Sequence, residues 1–299
     1  MNTVGTKSVV TATCLATAGE CFPNAMIELV RDPVDPARLQ LLLWDGTKAT
    51  IAPRIVYGSR TYEALKLDPT VACSVRWPTR RNDCGSTREL FERILSLVMG
   101  RLGIDEKPAR LLVYVIFTTW FPDRLMVAPG LAIVGSCVGH AIQFLRFLHC
   151  VCRRSILLGG MSQHDLMSLP LSVYPTLLID RPTLTRSLRS FLSASNRRGL
   201  AAVRRGKILD VCCPKVVYFG VGEVPEDVAS DMLRITLPPA RVLPQSLDDD
   251  QFNDIAAELQ NKMLAYRLAN FAKIRLSQLK KANGPDSRTR HEFGRLCRG

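Results

Sequence analysis

The sequence predicts an α/β protein: a parallel sheet with helices on both faces, preceded by a small β-rich module and a helical pair. Three observations lead there. From residue 125 onward, short apolar runs of strand length alternate with segments of helical period, the pattern of a wound parallel sheet. Leu131–Val134, Pro175–Asp180 and Lys215–Gly220 are largely continuous apolar runs, as expected of strands buried on both faces. The chain has 299 residues and is 47% hydrophobic, enough for a sizeable core and too apolar for disorder.

The elements follow in order. Residues 1–23 carry no periodicity and read as a flexible start to a module spanning 1–80. Met26–Val30 and Leu39–Trp44 are strand-like, and Asp45-Gly46 signals a hairpin into a strand over Ala49–Tyr57. Pro33, Pro36 and Pro53 keep these strands short or at edges. In 81–124, Ser86 and Glu89 form a capping box for a helix with Leu90, Phe91, Ile94, Leu95, Val98 and Leu102 on one side, stopped by Gly103. Asp105 is placed to cap a second helix that tolerates Pro108 in its first turn and runs to about Trp120. In 125–277, Leu131–Val134 is a strand, Ala141–Cys152 a helix, Ser155–Leu158 and Pro175–Asp180 strands, and Leu184–Ser195 a helix. Lys215–Gly220 and Arg234–Leu237 are strands, and Phe252–Leu276 is a long helix with Phe252, Ile255, Leu259, Met263 and Tyr266 along one side. Periodicity stops after Ser277. The basic residues 278–299 read as a disordered tail, or as a sign that the chain is truncated or frame-shifted against longer relatives.

The net charge of +13 is localised. Residues 181–215 carry +8, 216–260 carry −7 and 261–299 carry +8, a pattern that predicts a confined polyanion-binding surface. Ten cysteines without a regular framework predict a reducing compartment. No signal peptide is expected. Leu111–Phe121 is too short to cross a bilayer, and Leu125–Leu145 is interrupted by Pro129-Gly130, Gly135, Gly139 and His140. A cytoplasmic protein with no membrane partner is the expectation.

The run Leu131-Ala-Ile-Val-Gly-Ser-Cys-Val-Gly-His-Ala141, followed by Pro175-Thr-Leu-Leu-Ile-Asp180, has the layout of a phosphate-binding P-loop. There a strand enters a glycine-rich turn and a helix whose N–H groups hold phosphate, and a second buried strand ends in an Asp that positions magnesium. Gly135, Ser136, Gly139 and His140 are the candidate nucleotide-binding residues, and Asp180 is the remnant magnesium-positioning acid. The chemistry departs from the layout. His140 occupies the lysine position, Ala141 the hydroxyl position, and Arg181 the position of a water-activating glutamate; the loop is also one residue short.

Residues 125–241 resemble the helicase-like P-loop ATPase domain associated with primases in phages, plasmids and other mobile elements. The resemblance rests on ordered blocks: Pro175–Asp180, Phe191-Leu-Ser-Ala-Ser-Asn-Arg-Arg-Gly199 with Arg204, Pro214–Gly220, Val224–Asp231 and Ile235–Arg241. It implies a P-loop NTPase-like fold, a nucleotide with magnesium bound with reduced affinity, and an Arg-Gly segment near nucleotide and subunit interface. Met232 follows Asp231 where that family has an arginine. Each missing charge near a transferred phosphate removes stabilisation of several kcal/mol, so four departures together predict impaired hydrolysis.

The second cluster is Arg181, Arg186, Arg189, Arg197, Arg198, Arg204, Arg205 and Lys207. Seven guanidinium groups to one ammonium favour bidentate grip on phosphate, and Arg197, Arg198, Arg204 and Arg205 are the candidate nucleic-acid contacts. The competing reading is a solvated face paired with the acidic residues of 223–231 or 248–250. Only Phe191 among the aromatics lies here, which disfavours base stacking. Cys137, His140, His149, Cys150 and Cys152 fit no zinc spacing, and no metal is expected. The sequence therefore predicts an impaired ATPase-like protein acting as a nucleic-acid-binding or assembly component, with a homo-oligomer or a replication-type partner. The alternatives are a working ATPase or helicase subunit completed by another chain, and a structural protein-interaction module.

Overall fold

The computed structural model describes residues 14–159, 168–194, 196–199, 201–204, 207–221, 224–238 and 246–274. Fourteen strands lie among them. In the first module β1 (Cys14–Thr17), β7 (Arg60–Ala64) and β6 (Arg54–Tyr57) form one sheet, in the order β1-β7-β6. The order β2-β3-β4-β5 forms another, from β2 (Gly19–Cys21), β3 (Met26–Arg31), β4 (Leu39–Trp44) and β5 (Ala49–Ala52). Two expectations are corrected here. The strand over Ala49–Tyr57 is two strands, because Pro53 offers no N–H to a ladder and breaks the run. The described part of the lead-in holds β1 and β2, short strands in which only Thr17 is buried and the other positions are exposed or half-buried. The hairpin at Asp45 forms as expected, with Asp45 Oδ1 accepting from the Thr47 and Lys48 N–H groups.

Short α1 (Pro69–Ser74) is followed by α2 (Thr87–Leu102), which starts on the Ser86–Glu89 capping box and ends at Gly103 in the left-handed conformation. The helix α3 (Glu106–Thr119) has Asp105 at its N-cap, but that side chain makes no capping hydrogen bond, so the expected cap is absent. Then come β8 (Gly130–Val134), α4 (Val138–Val151), β9 (Ser155–Gly159), β10 (Thr176–Asp180), α5 (Arg186–Ala194), β11 (Ala201–Arg204) and β12 (Lys207–Asp210). They are followed by β13 (Lys215–Tyr218), α6 (Glu226–Ala229), β14 (Leu233–Thr236) and α7 (Asp249–Asn270). Five strands, β14-β8-β13-β10-β9, make an all-parallel sheet, which is the predicted α/β class. The antiparallel hairpin β11–β12 lies within the arginine block, where no strand was expected.

Alternation along the strands sorts two layers. Leu131, Ile133, Leu178, Val216 and Ile235 face α2, α3, α4 and α7; Leu177, Ile179 and Val217 face α5 and α6. Strand β3 is buried on both sides. Met26 and Val30 join the core of the parallel-sheet layer, while Ile27 and Leu29 pack with Leu41, Ile55, Tyr62 and Trp77. Glu28 therefore points the same way as Met26 and Val30, into protein. Helix α7 departs from a one-sided surface helix. Its second half is buried on several sides, including Gln260, Asn261 and Arg267, and Gln260 Nε2 donates to the Cys150 and Cys152 carbonyls at the end of α4. No helix among the described residues is long and apolar enough to cross a membrane. Residues 1–13 and the tail 278–299 lie outside the described residues.

Candidate nucleotide and nucleic-acid site

Open α/β sheets offer their ligand crevice at the carboxyl ends of the strands. That edge is built here by β8, β13 and β10, where Ile133 pairs with Tyr218 and Tyr218 with Asp180. Backbone bonds continue the edge past the strands. Phe219 N–H donates to Ile133 O and Gly135 N–H to Gly220 O, each at 2.9 Å, and Leu237 N–H donates to Val134 O at 2.8 Å. Gly135 is required by its surroundings. Its φ is +158°, and a Cβ there would sit 2.9 Å from Leu237 Cβ.

Beyond Gly135 the chain turns through exposed Ser136 into α4. Its N-cap residue, Cys137, makes no side-chain capping bond among the described residues, and its first turn has no acidic residue. Its first N–H groups and the dipole are thus available to an anion. Gly139 is exposed, and a Cβ there would meet nothing within 4 Å, so space above the first turn is open. His140 is different. The residue is 3% exposed, and Nε2 lies 2.7 Å from the Leu102 carbonyl at the end of α2. The imidazole expected to stand in for the lysine is a core contact between α4 and α2.

Asp180 ends β10 with its side chain 20% exposed. Arg181, in a left-handed conformation (φ 39°), folds back on it: Nε donates to Oδ1 at 3.0 Å and Nη2 to Oδ2 at 3.2 Å. The hydrogen bond to Asp180 raises the Arg181 pKa above its ordinary value. Both carboxylate oxygens thus face a cation of the same chain. Between loop and carboxylate stands Tyr218, whose hydroxyl donates to Gly135 O at 2.8 Å and whose pKa burial pushes up. Sequence reasoning missed this residue; the available signal was a phenol closing an otherwise apolar strand. The backbone fits a phosphate group at the start of α4. The side chains do not fit magnesium triphosphate, because the lysine position is spent in the core and the acid is paired with Arg181.

The arginine block divides. Arg197 is exposed, 64% at the side chain, with Asp231 at 3.9 Å. Arg198 is not displayed: its Nη2 donates to the Pro122 carbonyl at 2.8 Å, its backbone N–H to Met126 O, and its Nε is buried. Arg189 is bound to Asp227 through Nε (3.1 Å) and Nη2 (2.8 Å), so part of the basic block is neutralised by the acidic stretch. Arg204 closes β11 opposite Lys207, and Arg205 lies outside the described residues. The structure thus joins Gly135, Ser136 and Asp180 along one edge, and separates His140 and Arg198 from it by burying their polar groups. Among the described residues no group of three His, Cys, Asp or Glu side chains is placed to hold a metal.

No family model and no curated protein matches the chain. Similar solved structures include the full-length MCM homolog from Methanopyrus kandleri, 12% identical with a TM-score of 0.41, the match covering 81% of this chain and 59% of that one. The apo C-terminal region of NrS-1 is 12% identical with a TM-score of 0.39, covering 91% and 72%. The JCV helicase is 13% identical with a TM-score of 0.34, covering 70% and 72%. The chain therefore spans little more than half of the MCM homolog. All three scores lie below 0.5, and the fold stands on its own strand order.

Proposed function

We propose that this chain is a P-loop ATPase-like protein that has lost efficient hydrolysis and serves as a nucleic-acid-binding or assembly component of a DNA-replication or mobile-element system. The observation that supports it best is the Asp180–Arg181 fork. An acid that positions magnesium in a P-loop ATPase needs its oxygens directed at the ion and its water shell. Here a guanidinium covers both, and the residue at the lysine position is bonded to Leu102. What remains is a backbone cradle: Gly135, Ser136 and the uncapped start of α4, able to hold one phosphate through N–H groups and the helix dipole. The chain contributes position and partial positive charge at that point, and among the described residues the one acid at this edge, Asp180, is held by Arg181 rather than turned to water.

Nucleic-acid contact falls first to the exposed Arg197, with Arg204 and Arg205 as its sequence-predicted companions. Thermal denaturation with ATP tests the reading. A small stabilisation that is the same with and without magnesium is expected, because the cradle acts without the metal. A stabilisation that appears only with magnesium and vanishes in Asp180→Ala would overturn it.

A further inference from the structure

The other end of α4 carries a different feature. Helix α4 has 14 residues, so its ends are about 21 Å apart. At its C-terminal end Arg153 and Arg154 enter the protein together, 4% and 2% exposed, and meet Arg267 of α7, 2% exposed. Glu28 lies between them. It accepts from Arg153 Nη2 at 3.0 and 3.1 Å, from Arg154 Nη2 at 2.7 Å, and from Arg267 Nε. Asp123 takes the two Nη groups of Arg267 at 2.8 and 2.7 Å. The cluster thus holds three guanidinium groups against two carboxylates, and burying the surplus positive charge is costly unless an anion joins it.

A cavity of about 390 Å³ opens on this cluster, lined also by Arg124, Glu20 and Phe271, so that its walls carry four guanidinium groups against three carboxylates. Two of its arginines present unused donors. Arg153 commits only Nη2 of its guanidinium, with no partner for Nε or Nη1 among the described residues, although the side chain is 5% exposed. The guanidinium carbon of Arg124 stands 3.7 Å from the centroid of the Phe271 ring, and its buried Nε has no partner among the described residues. The crowding is visible at Arg154, which burial and then Arg153 push down to about 9.

We propose that this cavity is a binding site for a small molecule bearing an oxyanion, a phosphoryl or carboxylate group, held by Arg124 and Arg153 and neutralising the surplus charge of the Arg153–Arg154–Arg267 cluster. A planar guanidinium with adjacent free N–H groups matches either oxyanion in bidentate geometry. The site stands apart from the glycine loop and does not depend on the nucleotide reading.

Isothermal titration of the full chain with inorganic phosphate and, separately, with acetate, at ionic strength matched by chloride, tests it. A saturable site that depends on Arg124 and Arg153 is expected, distinguished by that dependence from phosphate held at the start of α4. Phosphate binding the tighter identifies a phosphoryl ligand, and acetate the tighter identifies a carboxylate. Losing a charge-assisted hydrogen bond weakens binding by about tenfold or more, so Arg124→Gln and Arg153→Gln each lower affinity by at least that factor. Arg153→Gln also disturbs Glu28, whereas Arg124→Gln leaves every Glu28 contact in place and carries the test if the first variant does not fold. No saturable heat with either anion, or saturable heat unchanged in Arg124→Gln, would overturn the assignment.

Discussion

Replacing Glu28 by Gln removes one negative charge from the most buried ionic cluster while keeping the size of the side chain. In the native protein the two Glu28 oxygens receive four charge-assisted hydrogen bonds from Arg153, Arg154 and Arg267, and the carboxylate is 3% exposed. At about 1.5–3 kcal/mol for each bond to a charged group, the gross interaction is large, but much of it offsets desolvation. The relevant comparison is removal of one partner from a buried pair, which costs about 3–5 kcal/mol because the remaining charges stay buried. Three guanidinium groups would then share Asp123 alone, and the amide N–H₂ would face donors. A loss of about 4 kcal/mol is a large share of the roughly 5–15 kcal/mol that stabilises a domain. Equilibrium urea unfolding followed by tryptophan fluorescence measures it, with a lowered midpoint and unchanged slope. Glu258→Gln is the control, since its partners Arg93 and Lys262 and its own side chain are a third to half exposed, and it costs below about 1 kcal/mol. Acid titration adds a second reading. Burial alone would raise the Glu28 pKa, but Arg153, Arg267 and Arg154 hold it down to about 2 from 4.5. Its contribution is therefore complete above pH 4.5 and is lost as pH falls toward 2, a loss that Glu28→Gln lacks. A cost under about 1 kcal/mol for Glu28→Gln would refute the view that this cluster binds β3 to α4 and α7.

Further outcomes follow from the same structure. Burial, then Arg76, Arg31 and Arg146, lower the His149 pKa from 6.5 to about 3. The unfolded chain thus takes up the proton first, stability falls as pH drops below 6.5, and about 1–2 kcal/mol is lost by pH 5; thermal melts of His149→Gln are flatter in that range. Gly135→Ala costs about 1–3 kcal/mol through the clash with Leu237, whereas Gly139→Ala, in open space, is neutral or slightly stabilising; chemical denaturation of the two variants separates them. Titration of duplex DNA at several salt concentrations gives a steep negative slope of log affinity on log salt, and Arg197→Ala reduces its magnitude by about 0.9, one phosphate contact. Arg198→Ala lowers thermal stability more than it alters that slope, because its guanidinium is bound to Pro122.

The parallel sheet was legible because strands buried on both faces write themselves as near-continuous apolar runs, as in Leu131–Val134 and Thr176–Asp180. The start of α2 was legible because a capping box is a local arrangement of Ser86 and Glu89. The strands β1, β2 and β7 were not, since their burial depends on partners from distant segments and leaves little alternation in a few residues. At the candidate site, the sequence pattern placed Gly135 just after β8 and Asp180 at the end of β10, as the structure has them. It could not tell that His140 turns to Leu102 or that Arg198 reaches Pro122, because both bonds cross between elements. The Glu28 cluster left one trace in the sequence: a carboxylate inside an apolar strand and an Arg153-Arg154 pair closing an apolar helix, each needing an opposite charge once buried.

Phosphate release from ATP, with magnesium and DNA present, tests the proposed loss of hydrolysis most directly. Background release that is the same for the native chain and for Asp180→Ala is expected. Robust turnover that Asp180→Ala abolishes would contradict it and would show that Arg181 gives up the carboxylate when nucleotide arrives.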